Sequence, residues 1–418
     1  MLRISLFVAL LVCTQANAKS LVGTWQGNHG ADRLVFIIER ASDGNLRGKI
    51  HELGIDTGLA IVSAVQVDGK SVKFDVDDWP AGFEGKLLAG ENTMAGNWIT
   101  GQGAAPITFE RATTQTAWPV DSSSHKTSFV SVERNVQLEV LDYGGKGPPL
   151  ILLTGLGNSA HVFDTFALRF VEKHRVFAIS RRGYGASSRP EPSAENYSAV
   201  RLGEDVIAVM DALKIEKPVV AGHSIGGSEL SYLATRHPER VAGLVYLEAA
   251  YGYALFSPDA WGQNVTISEV RAKLEQLFTA TPSELRLLVA DIESAVPNLL
   301  SDLHTWRDAM DGAPDTPRSR LSAGDRRRQV ISTGGLKHTS LEGPVLAIMG
   351  VSAPCKTNCE SLGLMTQARI ERQQIAAFER AVPQARVVKI VGGSHLIFAS
   401  HEDDVVREMN SFMDELER

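Results

Sequence analysis

The segment Gly222-His223-Ser224-Ile225-Gly226 has the most sharply specified chemistry in this sequence. A serine hydroxyl is a weak nucleophile until a base takes its proton. The G-x-S-x-G spacing suits a sharp turn from a strand into a helix, with flanking glycines keeping side chains clear and Oγ projecting beyond the sheet. The same turn can aim the Ile225 N–H, at a helix N-terminus, at an oxygen that gains negative charge. A base is expected downstream. Val391-Gly392-Gly393-Ser394-His395 follows a strand-like run from Arg386 and puts His395 in a loop, which raises it above the rest of the eleven histidines. His223 is expected to point into the turn and His401 to lie at the surface of the next helix. A carboxylate must hold the base in its working tautomer, in chain order between the serine and the histidine. Gly350-Val351-Ser352-Ala353-Pro354, after one candidate strand, holds no carboxylate, whereas Leu247-Glu248-Ala249 does, so Glu248 is the expected acid. A second oxyanion donor is expected from Thr154-Gly155-Leu156-Gly157-Asn158, through the Leu156 N–H.

These residues need a frame. Leu150–Leu153, Val176–Ile179, Pro218–Ala221, Leu244–Leu247 and Val345–Ile348 are short, continuously apolar runs, and Val136–Leu141 suggests one more strand. A helical stretch is expected before Val176 and another around Glu204 to Leu213. Buried strands alternating with helices predict a parallel sheet covered on both faces, an α/β domain over 128–418. Between about 250 and 343 the pattern is helical, with amphipathic segments at Ile267–Leu277 and Pro282–Ile292 and a polar, loop-like stretch from Asp311 to Arg328. Tyr251, Tyr253, Phe256 and Trp261 are candidates for lining a pocket beneath it.

The N-terminal texture differs. Leu34–Ile38 is a compact apolar run, Val72, Phe74 and Val76 alternate with polar residues, and Ile107 and Phe109 alternate again. Turn signals stand at Asp43-Gly44-Asn45, Asp68-Gly69, Ala81-Gly82 and Gly90-Glu91-Asn92. Close-spaced short strands predict a small antiparallel barrel or sandwich over 19–112, with Trp25 and Trp98 facing inward. Residues 113–127, polar and rich in Ser and Thr, read as a linker. Residues 1–18 combine Arg3, an apolar stretch from Ile4 to Val12 and Ala16-Asn17-Ala18, the features of a cleaved secretory signal, so a periplasmic or secreted protein is expected. The run is too short to span a bilayer. In an oxidising compartment Cys355 and Cys359 could close a small disulfide loop.

The chain has 418 residues, 44% hydrophobic and 22% charged, and its net charge of −7 argues against a nucleic-acid binder resting on a basic face. No metal or organic cofactor is called for; the expected partner is a small-molecule acyl substrate, without nucleic acid or a stable membrane anchor, and oligomeric state stays open.

From about Val136 onward the sequence resembles the α/β-hydrolase fold in its single-domain bacterial form with a helical cap. The resemblance rests on Thr154-Gly155-Leu156-Gly157, Arg182-Gly183-Tyr184-Gly185-Ala186-Ser187, Gly222-His223-Ser224-Ile225-Gly226-Gly227 and Gly393-Ser394-His395. It implies esterases, lipases, lactonases, aminopeptidases or carbon–carbon hydrolases, with the insertion at 250–343 as the cap. The N-terminal stretch resembles small lipocalin-like β-domains that precede some exported hydrolases. Three departures stand out: Thr154 where the family usually has a histidine, Ser180 where an aspartate commonly precedes the Arg-Gly-x-Gly turn, and the carboxylate-free stretch after Gly350. A minority of the family places its acid where Glu248 lies.

The sequence therefore predicts an exported, carboxylesterase-like serine hydrolase using Ser224, His395 and Glu248. An aminopeptidase, amidase or lactonase on the same residues is the alternative. From another class, Gly155-Leu156-Gly157-Asn158-Ser159-Ala160 matches G-x-G-x-x-A after a strand, with Arg181 and Arg182 placed to suit a 2′-phosphate, as in an NADP-dependent oxidoreductase. A hydrolase fold used as a non-catalytic ligand-binding module is the third reading.

Overall fold

The computed structural model describes residues 21–417 except 30–31, 54–57, 78–80, 101–102, 119–123, 253, 256–272, 275, 279, 291, 294–295, 297–299, 301–303, 305–322, 335–337, 339 and 354–363. The chain divides into two compact units near residue 120.

The first unit is one nine-stranded antiparallel sheet, nearly closed like a barrel. Strands adjacent in sequence are hydrogen-bonded neighbours with one exception: the first strand, Gly23–His29, pairs with the last, Gly103–Arg111, and the consecutive strands Gly58–Val62 and Val65–Asp68 form the two edges. The alternation at Val72 and Phe74 faces inward as expected. Trp25, Phe36, Phe74, Phe83, Trp98 and Phe109 are all buried in one core, and the rings of the last five lie 4.3–6.4 Å from their neighbours. Such rings bury large apolar areas and fill the interior with side chains. Gly44, Gly69 and Gly90 take positive φ in the expected turns. Ala81-Gly82 is not a turn: it lies inside the strand Ala81–Leu87, where a Cβ on Gly82 would come within 2.9 Å of the Phe74 carbonyl oxygen on the neighbouring strand. Close cross-strand approach, not chain reversal, accounts for that glycine.

The second unit carries an eight-stranded sheet. Its strands, numbered within this unit, are β1 (Lys126–Glu133), β2 (Val136–Gly144), β3 (Pro149–Leu153), β4 (Arg175–Ile179), β5 (Val219–His223), β6 (Gly243–Leu247), β7 (Val345–Val351) and β8 (Arg386–Val391). Their order is β1-β2-β4-β3-β5-β6-β7-β8; β2 runs antiparallel to both neighbours and every later pair is parallel. β1 is an addition to the sequence reading, since its first two residues fall in the polar stretch taken as linker. Successive residues of the central strands feed opposite apolar layers: Ile151 and Leu153 pack under α1 (Ala199–Leu213) and α2 (Gly227–Arg236), while Leu150 and Leu152 pack under the C-terminal helix Glu402–Leu416. That is why the central strands β3 to β7 are apolar at nearly every position, whereas β1, β2 and β8 toward the edges carry polar residues.

The helical stretch expected before β4 takes the form of two 3₁₀ turns, Ala160–Phe163 and Ala167–Arg169, and buried Ala160, Phe163 and Phe166 follow their three-residue period. One expectation is corrected. The polar stretch 311–328 is not all loop, because α3 spans Ala323–Thr333. α3 is held by Arg327, whose guanidinium is buried and donates to the Gly183 carbonyl (3.0 Å) and the Tyr197 hydroxyl (3.2 Å). Residues 282–290 are helical, as the amphipathic pattern predicts. Residues 354–363, with Cys355 and Cys359, lie outside the described residues, as do residues 1–18 and Tyr253, Phe256 and Trp261.

Candidate active site

The pairing register places the site at one edge of the sheet. Leu153 lies opposite Gly222, His223 opposite Leu247, Leu247 opposite Ile348, and Val351 opposite Val391. The residues that follow these strand ends, at Thr154, Ser224, Glu248 and the loop to His395, therefore emerge together at the carboxyl ends of the parallel strands. That edge, beside the point where strand order reverses around β3, is where open α/β sheets hold their ligands.

Six described non-glycine residues have φ in the left-handed region. Glu91, Asn135, Lys214 and Lys217 lie in turns or at helix ends; the other two are Ser224 (φ 52°) and Glu248 (φ 49°). Both stand one residue beyond a parallel strand. Holding an L-residue there costs on the order of 1–3 kcal/mol, and such strain gathers at functional positions. The turn at Ser224 is tight. A Cβ on Gly226 would lie 3.3 Å from the Thr154 carbonyl oxygen, whereas one on Gly227, outside the pentapeptide, would lie 2.2 Å from that of Ala249. The third glycine is thus the least replaceable.

His395 Nε2 lies 2.8 Å from Ser224 Oγ, and its Nδ1 lies 3.4 Å from Glu248 Oε2. The His395 side chain is 58% exposed and that of Glu248 only 7%. Glu248 is fixed from both sides: Gly350 N–H donates to Oε1, and the Tyr251 hydroxyl donates to Oε2 at 2.5 Å. Tyr251, named from sequence as a candidate for pocket lining, touches Glu248. The carboxylate-free stretch Gly350–Pro354, whose first two residues end β7, contributes a backbone donor to Glu248, the residue just beyond the neighbouring strand.

The side chains of Leu156 and Ile225 pack into one small cluster with Tyr184, Tyr197, Leu202 and Ile331. The loop carrying Leu156 is braced from below. Arg181 donates to the carbonyl oxygens of Thr154 (2.9 Å) and Gly155 (3.3 Å) and to Glu229 Oε1 (2.6 Å), and both charged side chains are 4% exposed. Arg182, fully buried, donates to Asp205 (2.6 Å) and Glu133 (2.9 Å). Both guanidiniums expected to suit a 2′-phosphate are therefore committed to buried carboxylates. The G-x-G-x-x-A stretch opens a single 3₁₀ turn rather than the α-helix whose N-terminus a pyrophosphate needs.

The departure at Ser180 has a structural answer. Ser180 Oγ accepts from the Ala160 N–H at 2.8 Å and donates to Glu139 Oε2 at 2.6 Å, so the carboxylate comes from β2 and acts through a hydroxyl. Glu139 also faces His161 (3.7 Å), which contacts Asp164 at 3.1 Å. Burial disfavours the charged imidazole, but Asp164 and Glu139 outweigh it and push the His161 pKa up to about 10. Nothing local in the sequence marks this network, because its members come from three separate segments.

The family model for the α/β hydrolase fold matches residues 148–402, more than half of the chain, and the chain belongs to that family. Over 136 residues it is 34% identical to a 2-hydroxymuconate semialdehyde hydrolase from Pseudomonas putida, a match covering 31% of this chain and 48% of that protein. The match thus spans about half the length of that curated relative. An sn-1-specific diacylglycerol lipase from Xenopus laevis is 23% identical over 307 residues, 70% of this chain and 87% of that one. Among solved structures, a bromoperoxidase from Bacillus anthracis aligns over 69% of this chain and 100% of its own, at a TM-score of 0.47 and 17% identity. Hydrolases are thus prominent among the relatives.

Proposed function

We propose that the chain is an exported serine hydrolase that cleaves an acyl bond, a carboxylic ester first, with Ser224 as nucleophile, His395 as base and Glu248 as the acid that orients it. The carrying observation is the 2.8 Å approach of His395 Nε2 to Ser224 Oγ, with a buried carboxylate on the other ring nitrogen. As Oγ attacks the carbonyl carbon, its proton passes to Nε2, and the Leu156 and Ile225 N–H groups receive the oxyanion. His395 then returns the proton to the departing alcohol. Water, deprotonated by the same imidazole, releases the acid from the acyl-enzyme.

An ester is favoured over an amide because an alkoxide leaves more easily, and nothing in the sequence marks a carboxylate pair for a substrate amine. The lipase among the relatives acts on esters by its name, which supports that reading. Amidase, aminopeptidase or lactonase activity on the same residues is the alternative. Export rests on the signal-like residues 1–18; among the described residues no helix is long and apolar enough to cross a membrane.

The test is intact mass after exposure to a fluorophosphonate. One adduct on wild-type protein, absent from Ser224→Ala, is expected. Folded wild-type protein that stays unmodified would overturn the proposal and favour a binding module.

A further inference from the structure

His223 is the last residue of β5 and is buried. Its Nε2–H donates at 2.7 Å to the backbone carbonyl oxygen of His395, 172 residues away in sequence. Its ring lies 4.9 Å from the His395 ring and meets Phe398 edge-on at 5.1 Å. The other nitrogen, Nδ1, is buried and has no hydrogen-bond partner. It faces Gly155, where a Cβ would lie only 2.7 Å away, so the imidazole is pressed against the loop carrying Leu156. Burial, and the nearby His395, push its pKa down to about 3, which keeps the ring neutral at any ordinary assay pH. A buried acceptor left unpaired costs on the order of 1–3 kcal/mol, and an apolar ring of the same shape would avoid that cost.

The base needs this support. His395 stands in a loop with a largely exposed side chain, and its link to Glu248 is long at 3.4 Å. The bond from buried His223 to its carbonyl is shorter, at 2.7 Å, and it comes from the residue next to the nucleophile. We propose that His223 is a positioning residue: it fixes the His395 backbone against the nucleophile elbow and sets the spacing between the base and the loop bearing Leu156. This deepens the proposed acyl-transfer reading and rests on it. A misplacement of about 1 Å in such a site can cost roughly 100-fold in rate.

Three variants separate this role from simple packing. In His223→Gln the amide nitrogen can take the place of Nε2 and keep the donor to His395. In His223→Asn an amide reaches only the Nδ1 position, and His223→Phe fills the ring volume with no donor. Each is measured by thermal midpoint, by fluorophosphonate labelling rate and by kcat and KM on a p-nitrophenyl ester. The expected result is a loss of about 10- to 50-fold in kcat and labelling rate for Phe and Asn, with KM within twofold of wild type and Gln within about threefold. Equal kcat for Gln and Asn overturns the inference, and that comparison decides the matter if Phe fails to fold. A folded Phe variant within threefold of wild type, or a loss confined to KM, overturns it as well. Labelled wild-type protein with unaffected variants defeats this inference alone; unlabelled wild-type protein defeats the acyl-transfer reading too.

Discussion

Replacing Glu248 tests the acid assignment through its magnitude. At 3.4 Å, opposite unit charges in an effective dielectric of about 20 attract by about 5 kcal/mol. The imidazole is 58% exposed, and solvent screening cuts that to about half. Loss of the carboxylate should therefore raise the barrier by roughly 2–3 kcal/mol, a drop of about 30- to 150-fold in kcat/KM. Glu248→Gln should be at least as damaging as Glu248→Ala. Gly350 N–H would hold the amide oxygen at the Oε1 position, leaving the amide NH₂ facing His395 Nδ1. An imidazole that accepts there carries its proton on Nε2 and cannot take one from Ser224. The assay is kcat/KM on a p-nitrophenyl ester between pH 6 and 9, with the fluorophosphonate rate as an independent readout. A Gln variant within about threefold of wild type would refute the reasoning, since it would mean the base needs no carboxylate at this position.

Folding stability should fall as pH rises from about 6.5 to 10. His161 has its folded pKa raised, so its contribution is complete below the unfolded value of 6.5 and disappears through about 10; the interval bounds it at roughly 5 kcal/mol. Urea titrations of wild type and His161→Gln should diverge below pH 7 and converge near pH 10, and a constant difference would contradict the account. Gly227→Ala drives a Cβ to 2.2 Å from a backbone oxygen and should cost at least about 3 kcal/mol, whereas Gly226→Ala, at 3.3 Å, should cost about 1 kcal/mol; thermal midpoints in that order are expected, and the reverse order would be a failure. Arg182→Met leaves Asp205 buried without its partner and should destabilise by roughly 3–5 kcal/mol in chemical denaturation, with Arg182→Met/Asp205→Leu recovering most of it.

Two kinds of information built this molecule. The elbow at Ser224, the loop at His395, the parallel α/β sheet and the inward tryptophans of the β-unit were legible in the sequence because each rests on local periodicity or on spacing along one segment. Glu248 was legible only by elimination, from the absence of a carboxylate after Gly350. The two-residue overlap of β1 with the polar linker stretch was hidden because Lys126 and Thr127 look like linker until β2 pairs with them. Gly82 misled because a glycine that admits a neighbouring strand looks like one that reverses the chain. The partnerships around the site belong to tertiary structure alone: His223 with the His395 carbonyl, Ser180 with Glu139, Arg181 with Glu229, Gly350 with Glu248. Their members lie 41 to 172 residues apart, and each is an ordinary residue until folding removes water and leaves one partner within reach. Local propensity acts over a few residues, whereas the obligation to pair buried polar groups acts across the whole fold, so only the folded chain settles it.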